Sequence, residues 1–505
     1  MDVARVEDPP TFLLSRWLFL RLLGGIYLIA FFSLGWQIIG LIGEDGILPA
    51  GEYLERAEQL YGTSARWMFP TLAWLSASDT VLRFLCLGGT IASVLLIAGV
   101  APMLMLALLW VSYLSVTVAG QTFLGFQWDG LLLEAGLVAC FYAPLQWAPR
   151  LATERQPSPV VSWLIWWLLF RLTFLSGITK IVSGDETWAN WAALTYHYET
   201  QPLPTWTSWY VHQLPDWVHG VSVGGMFLIE LLVPLLILTP PRWRRVRLST
   251  CALLVTLQLL IAGTGNYGFF NLLTVVLCLT LLDDQLLRRV LPRKVTARLT
   301  DTPDRPFDPR PWRAAIVLVA VLIVPISSLG FAREIIDSVP GPRDVAPEPG
   351  WSARVLSWAA PIRSVNGYGL FRVMTTERPE IVIEGSRDGV TWVEYGFRWK
   401  PGDPMRRPRF VAPHQPRLDW QMWFAALDPL GAQQWLGSLV FRLLEGTPAV
   451  VALLEDNPFP DAPPRYVRLV YYQYRFSSPA QKSETGAWWQ REFVEYLTDP
   501  LSLGD

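Results

Sequence analysis

Apolar residues run almost unbroken through the first two-thirds of the chain and give way, after about residue 335, to a mixed and partly alternating pattern. A helix needs about 20 apolar residues to cross the hydrocarbon core of a bilayer. Stretches of that kind fall at 16–42, 79–100, 101–119, 126–146, 160–182, 218–239, 244–264, 266–283 and 312–334. Those at 101–119 and 266–283 are short and follow closely on their neighbours, so the pattern predicts eight or nine spans. The membrane part is thus residues 1–334 and the remainder, 335–505, is a second domain. Its start is rich in turn formers (Pro340, Gly341, Pro342, Pro347, Pro349, Gly350), which marks a linker. Within it, Glu380–Ser386 alternates apolar and polar residues and faces Thr391–Trp399 across the turn Arg387-Asp388-Gly389, a hairpin signal. Tyr466–Phe476 predicts a long strand, whereas Gln433–Leu444 and Trp488–Leu497 predict helices. The expected fold is a multispan α-helical membrane domain followed by a β-rich, β-sandwich-like domain with peripheral helices.

Composition agrees with the pattern. Of 505 residues 52% are apolar and 17% charged, against about 25% charged in soluble domains. The first apolar run is too long for a cleaved signal peptide and reads as a retained anchor. Loop charges give the orientation. With the N-terminus in the cytoplasm, the inside loops 147–159, 240–247 and 284–311 hold the basic residues, among them Arg150, Arg155, Arg242, Arg244, Arg245, Arg247, Arg288, Arg289, Arg293, Lys294 and Arg298. The outside loop 183–217 has no Lys or Arg but carries Asp185, Glu186, Glu199 and Asp216. By the positive-inside rule, an odd number of spans then places the C-terminal domain outside the cytoplasm.

Other chemistry is thin. Cys86, Cys140, Cys251 and Cys278 all sit in apolar stretches without a C-x-x-C pair, so neither a disulfide framework nor thiol exchange is expected. The net charge of −2 and the lack of a basic tract give no reason to expect nucleic acid. No metal box, phosphate loop or nucleophile motif is evident. His414 and Asp419 suggest a relay but lack a nucleophile, and their aromatic-rich surroundings read as core or interdomain contact.

Several ordered stretches resemble the lipase maturation factor family: Gly125-Phe-Gln-Trp-Asp129, Leu132-Leu-Glu-Ala-Gly136, His197–Trp206, Gly263–Asn271, Val365-Asn-Gly-Tyr-Gly-Leu-Phe371, Glu380–Ser386 and Pro413–Leu427. The resemblance implies a multi-pass folding or maturation factor, chaperone-like, for exported clients such as lipases. It would reside in a bacterial inner membrane, or in the endoplasmic reticulum of a eukaryote, and touch lipids and a client protein. Ser176-Gly-Ile-Thr-Lys180 with Gly184–Trp188 also resembles, more distantly, the catalytic-lysine region of vitamin K-dependent γ-glutamyl carboxylases. That alternative implies a membrane enzyme with Lys180 as base and an apolar, quinone-type cofactor; the maturation reading requires no cofactor.

Charges inside hydrocarbon are costly and need partners. The candidates are Arg21, Arg83, Asp129, Glu134, Arg171, Lys180 and Glu230. Counting depth at about 1.5 Å per residue, Arg171 and Glu230 fall near mid-span with Glu134 slightly outward, so these three read as one neutralising cluster. Asp129 and Lys180 fall at the outer surface, where with Asp185, His197, Glu199 and His212 they form a candidate outer-face site. Lys180 is expected to find Asp129, Asp185 or Glu199.

Overall fold

A computed structural model describes residues 10–297, 309–341 and 350–504; Arg298 of the basic loop and most of the expected linker fall outside them. The longer helices, numbered in chain order, are α1 (Leu13–Gly35), α2 (Asp79–Ala98), α3 (Pro102–Ala119), α4 (Gln127–Tyr142), α5 (Pro159–Val182), α6 (Asp216–Leu238), α7 (Arg244–Thr264), α8 (Phe270–Leu279), α9 (Asp284–Val290) and α10 (Arg310–Ser338). Seven of these among the described residues (α1–α3, α5–α7 and α10) are long and apolar enough to cross a membrane. The number rises to eight if α8 and α9, bent by 118° at their junction, are one broken span. The eight-or-nine expectation meets this range at eight, and two of its stretches fall short of a long apolar helix. The 126–146 stretch yields only the 16 residues of α4. The 266–283 stretch is cut where the Asp283 carboxylate accepts the Leu286 N–H at 3.0 Å and caps α9.

The two ends of the bundle differ. At one end the Asp284 carboxylate accepts the Leu13 and Leu14 N–H groups (3.0 and 2.7 Å), Arg16 pairs with Glu154 at 2.7 Å, and Arg244 pairs with Asp283 at 2.5 Å. Arg247 lies over the Trp166 ring at 3.8 Å. The start of α1 and the described parts of all three basic loops therefore share this basic end. The C-terminal half sits on the opposite, capped end. There Gln37 donates to the Gln415 carbonyl (2.9 Å), Trp423 to that of Thr200 (2.8 Å) and Trp209 to that of Ser477 (2.9 Å). The shorter α4 reaches from one end to the other: Asp129 meets the C-terminal half, and Phe141 stacks on Trp312 of α10.

Past α10 come α11 (Gly350–Ala359), the strands β1 (Arg378–Ser386) and β2 (Val393–Glu394), α12 (Arg417–Leu427), α13 (Pro429–Glu445), β3 (Tyr466–Phe476) and β4 (Trp489–Tyr496). The strands form one antiparallel sheet in the order β2-β1-β3-β4. The 387–389 turn and the 466–476 strand stand where the pattern put them. β1 is buried at every position, so both its faces are covered, but against α12 the cover is helical, and among the described residues there is no second sheet of a sandwich. The 488–497 segment is a strand, not the expected helix. Its side chains are mostly exposed and carry little periodicity, and the free edge of β3 captures it from Phe476–Trp489 to Val470–Tyr496, with one irregularity at Tyr471/Tyr472.

Packing between α1 and α2 turns on Gly89. A Cβ there would lie 2.5 Å from the Phe31 ring, whereas one at neighbouring Gly88 would meet nothing within 4 Å. We predict that Gly89→Ala lowers the melting temperature of the detergent-solubilised protein, in line with an overpacking cost of about 1–3 kcal/mol, and that Gly88→Ala does not. Equal effects would show that this contact does not limit the bundle.

Candidate functional site

Two carboxylates on α4 organise the capped end. Asp129, in the first turn, is fully buried, and its partner comes from the first turn of α12. Arg417 bonds both carboxylate oxygens (2.9 and 2.8 Å) and the Phe123 carbonyl (2.9 Å), while Tyr113 of α3 donates to the same carboxylate at 2.5 Å. Glu134, further down α4, pairs with Arg171 of α5. Its second oxygen accepts the Tyr368 hydroxyl at 2.7 Å and the Asn366 amide at 3.4 Å. Asn366 also donates to the Gly130 carbonyl at 3.1 Å, packing so closely that a Cβ on Gly130 would lie 2.9 Å from it. The 363–371 segment of the C-terminal half thus reaches into the membrane part.

The cluster expected of Glu134, Arg171 and Glu230 divides into separate pairs. Glu230 turns to Lys180, whose amine bonds it at 2.9 Å and the Ser176 carbonyl at 2.7 Å, with the Trp188 ring 5.5 Å away. Depth alone suggested Arg171. The helix rotation is set instead by the close approach of α5 and α6 at Gly177, where a Cβ would meet that of Glu230 at 2.9 Å. Residues Leu228–Leu232 are wound as one π-helical turn, which re-aims Glu230.

The residues expected to form a single outer-face site are likewise divided among partners. Asp129 goes to Arg417, not Lys180. Asp185 caps the short helix Glu186–Ala189 and accepts the Met374 N–H at 3.0 Å. Glu199 accepts the Phe476 N–H at 2.9 Å and lies 3.7 Å from His212. His197 bonds the Tyr267 hydroxyl at 2.9 Å and meets the Phe371 ring at 4.8 Å. Asp185, His197 and Glu199 each touch the C-terminal half, as Asp129 does from α4, so the loop 183–217 is a docking surface for it. His414 and Asp419 form no relay. His414 bonds Ser33 of α1 at 2.8 Å, and Asp419 accepts the Trp399 and Lys400 N–H groups at 2.9 Å.

Between these contacts lies a cavity of about 900 Å³. Its wall is made by the connection between α3 and α4 (Gln121 to Trp128), by Tyr267 and Phe270, by Gly369–Val373, and by α12 with the start of α13. Phe126 stacks on Trp128 at 4.4 Å, and Trp128 meets Trp420 edge-on at 4.8 Å. Lys180 and Glu230 are not part of the wall. Reading single charges missed this space. The signal that could have found it was that four motifs (125–129, 263–271, 365–371 and 413–427) place aromatic residues far apart in sequence.

Residues 14–289 match the family model described as lipase maturation factor transmembrane domain, and residues 364–499 match lipase maturation factor C-terminal domain. The chain is 38% identical to lipase maturation factor 2 of Homo sapiens over 97% of its own length and 83% of that protein. It is 33% identical to lipase maturation factor 1 of Mus musculus over 98% of its length and 88% of the relative. The chain belongs to the lipase maturation factor family. No solved structure matches it.

In this family member two histidines back the junction in neutral form. Tyr267 donates its hydroxyl hydrogen to Gln201 at 2.7 Å, so His197 donates from Nε2 and its Nδ1 is buried without a partner. Burial, and then the Lys180 charge, push His197 down to about 4. Burial, with Arg417 and Arg398 nearby, pushes His414 to about 4 as well. Burial tends to raise Asp185, but its hydrogen bonds from Thr187, Met374 and Trp188 hold it below the usual range.

Two predictions follow from the junction. Arg417→Met strands a buried carboxylate, a loss typically of about 3–5 kcal/mol, and should expose the C-terminal half to limited proteolysis in detergent. The double variant Asp129→Leu with Arg417→Met should be far less sensitive; equal sensitivity would mean that the pair does not hold the junction. Secondly, the unfolded chain binds protons at both histidines near pH 6.5 while the folded one resists until about 4. Stability should therefore fall as pH drops through that window, and thermal melts of a His197→Phe, His414→Asn variant should show a shallower slope. An unchanged slope would exclude these groups as its cause.

Proposed function

We propose that this protein is a membrane-anchored maturation factor whose C-terminal half lies outside the cytoplasm and assists exported client proteins such as lipases. The single observation that carries this reading is the opposition of the two bundle ends. The described parts of all three basic loops gather with the start of α1, and the C-terminal half with its cavity caps the other end; under the positive-inside rule this supports a cavity that faces the compartment where exported proteins fold. This placement needs no span count. The names of the relatives support the client class, and a bacterial inner membrane, or the endoplasmic reticulum in a eukaryotic host, is the setting proposed for it.

The mechanism proposed is binding. The four cysteines are free, buried and confined to the membrane helices, which gives thiol exchange no support. Lys180 serves as the cation of a buried pair with Glu230, which gives the carboxylase-like reading no specific support.

The test joins topology to activity. A reporter active only outside the cytoplasm, fused to the C-terminus, should be functional, and co-expression of the protein should raise the specific activity of a secreted lipase. A silent reporter alongside a working cytoplasmic one would overturn the orientation. Unchanged specific activity of each secreted lipase tried would overturn the maturation role.

A further inference from the structure

The short helix α11 presents a face that the protein leaves open. Trp351, Arg354 and Trp358 stand at i, i+3 and i+7 and so share one side of the helix. All three are exposed, whereas Val355 is half-buried and Ala359 buried on the other side, where α11 packs on α10. Among the described residues no carboxylate pairs with Arg354.

Depth decides what that face meets. At 29 residues α10 is about 44 Å long, against about 30 Å of hydrocarbon. A Cβ on its Gly330 would touch Val365 at 3.5 Å, and Gly330 stands eight residues, or about 12 Å, short of the capped end at Ser338. Arg363 donates to the Thr117 carbonyl of α3 at 3.1 Å, and Trp110, midway along α3, donates to Ser364 at 3.2 Å. The chain directly after α11 is therefore pinned within the membrane band, and α11 sits at its rim. In the connection between α1 and α2, Thr71 and Leu72 bond Ser115 of α3 at 2.9 and 3.1 Å, four residues from the end of that helix. This seats the exposed Trp67, Met68 and Leu75 near the same level, with Trp67 at 6.1 Å from Trp358.

The neighbouring surface identifies the occupant. α10 is exposed along nearly all of its apolar length, so lipid covers the helix on which α11 rests, and the open face of α11 continues that surface. Tryptophan rings concentrate at the boundary between hydrocarbon and headgroups, and an arginine there extends its charge to the phosphate layer.

We propose that α11 is an interfacial anchor lying in the phospholipid leaflet on the capped side, with Trp351 and Trp358, extended by Trp67, in the boundary region and Arg354 on a lipid phosphate. α11 leads into the segment whose Asn366 and Tyr368 bond Glu134. Lipid on one side and a buried carboxylate on the other thus hold that segment at one depth. This anchoring is independent of the maturation role.

The test places a nitroxide on the full-length protein in phosphatidylcholine–phosphatidylglycerol nanodiscs, at Ser357→Cys or, separately, at Ala353→Cys. Both positions are exposed, and the four native cysteines are buried. Power saturation with oxygen and with a water-soluble nickel chelate compares them with Val321→Cys, exposed midway along α10, and Leu430→Cys, exposed on α13. The oxygen-to-nickel accessibility ratio at both α11 positions should lie between the two references and several-fold above that of Leu430→Cys. Combining Trp351→Glu with Trp358→Glu should bring the ratio at Ser357→Cys down to the Leu430→Cys value. Arg354→Leu should raise it by letting the helix sink, and Arg354→Lys should not, with thermal melts confirming that each variant is folded. A wild-type ratio equal to that of Leu430→Cys would put α11 in water and overturn the proposal. Low accessibility to both reagents would overturn it too, because protein would then cover the face. A ratio that none of the substitutions moves would remove these three side chains as the anchor.

Discussion

Asp129 is a carboxylate buried at the head of a helix packed on every side, and an ionised carboxylate there is tolerable only with its charge matched and its lone pairs filled. Arg417, 288 residues away, meets that demand with two bonds, and Tyr113 adds a third. The membrane part therefore does not satisfy its own interior; it depends on the C-terminal half to do so. Glu134, five residues along the same helix, repeats the logic with Arg171 from within the bundle and Tyr368 and Asn366 from beyond it. Because both α4 carboxylates take partners from the C-terminal half, that half is held in one register against the bundle.

Such pairs contribute little net stability, since desolvation offsets most of the attraction between the charges. What they supply is discrimination. A C-terminal half displaced by one helical turn would leave Asp129 and Arg417 buried without each other and would take Tyr368 and Asn366 from Glu134, each a large loss. The loop 183–217 adds finer alignment through Asp185 on the Met374 N–H and Glu199 on the Phe476 N–H. Lys180 and Glu230 act inside the bundle alone, joining α5 to α6 at the π-helical turn.

The cavity is a consequence of this rigid seating. Two surfaces fixed by ion pairs at their base need not close completely above it, and aromatic side chains from both halves face the remaining space. Neither half could form it alone, because Trp128 belongs to α4 and Trp420 to α12.

The membrane nature, most spans, the charge asymmetry and the 387–389 hairpin were legible in the sequence because each depends on local properties: the length of an apolar run, the sign of a loop, the residues of a turn. The family, too, was legible in motifs such as Val365–Phe371 and Pro413–Leu427. The partners of the buried charges were not. Depth along a helix can be counted from sequence, but the rotation that points Glu230 at Lys180 and not at Arg171 is set by the packing at Gly177 and the π-helical turn. Asp129 found a guanidinium that lies in a different domain of the sequence. The broken passage at Asp283 and the strand at 489–496 depended on a cap and on a free sheet edge. Local pattern decided what each segment is, and tertiary packing decided which charges meet, because a buried charge is neutralised by whatever lies nearest in space.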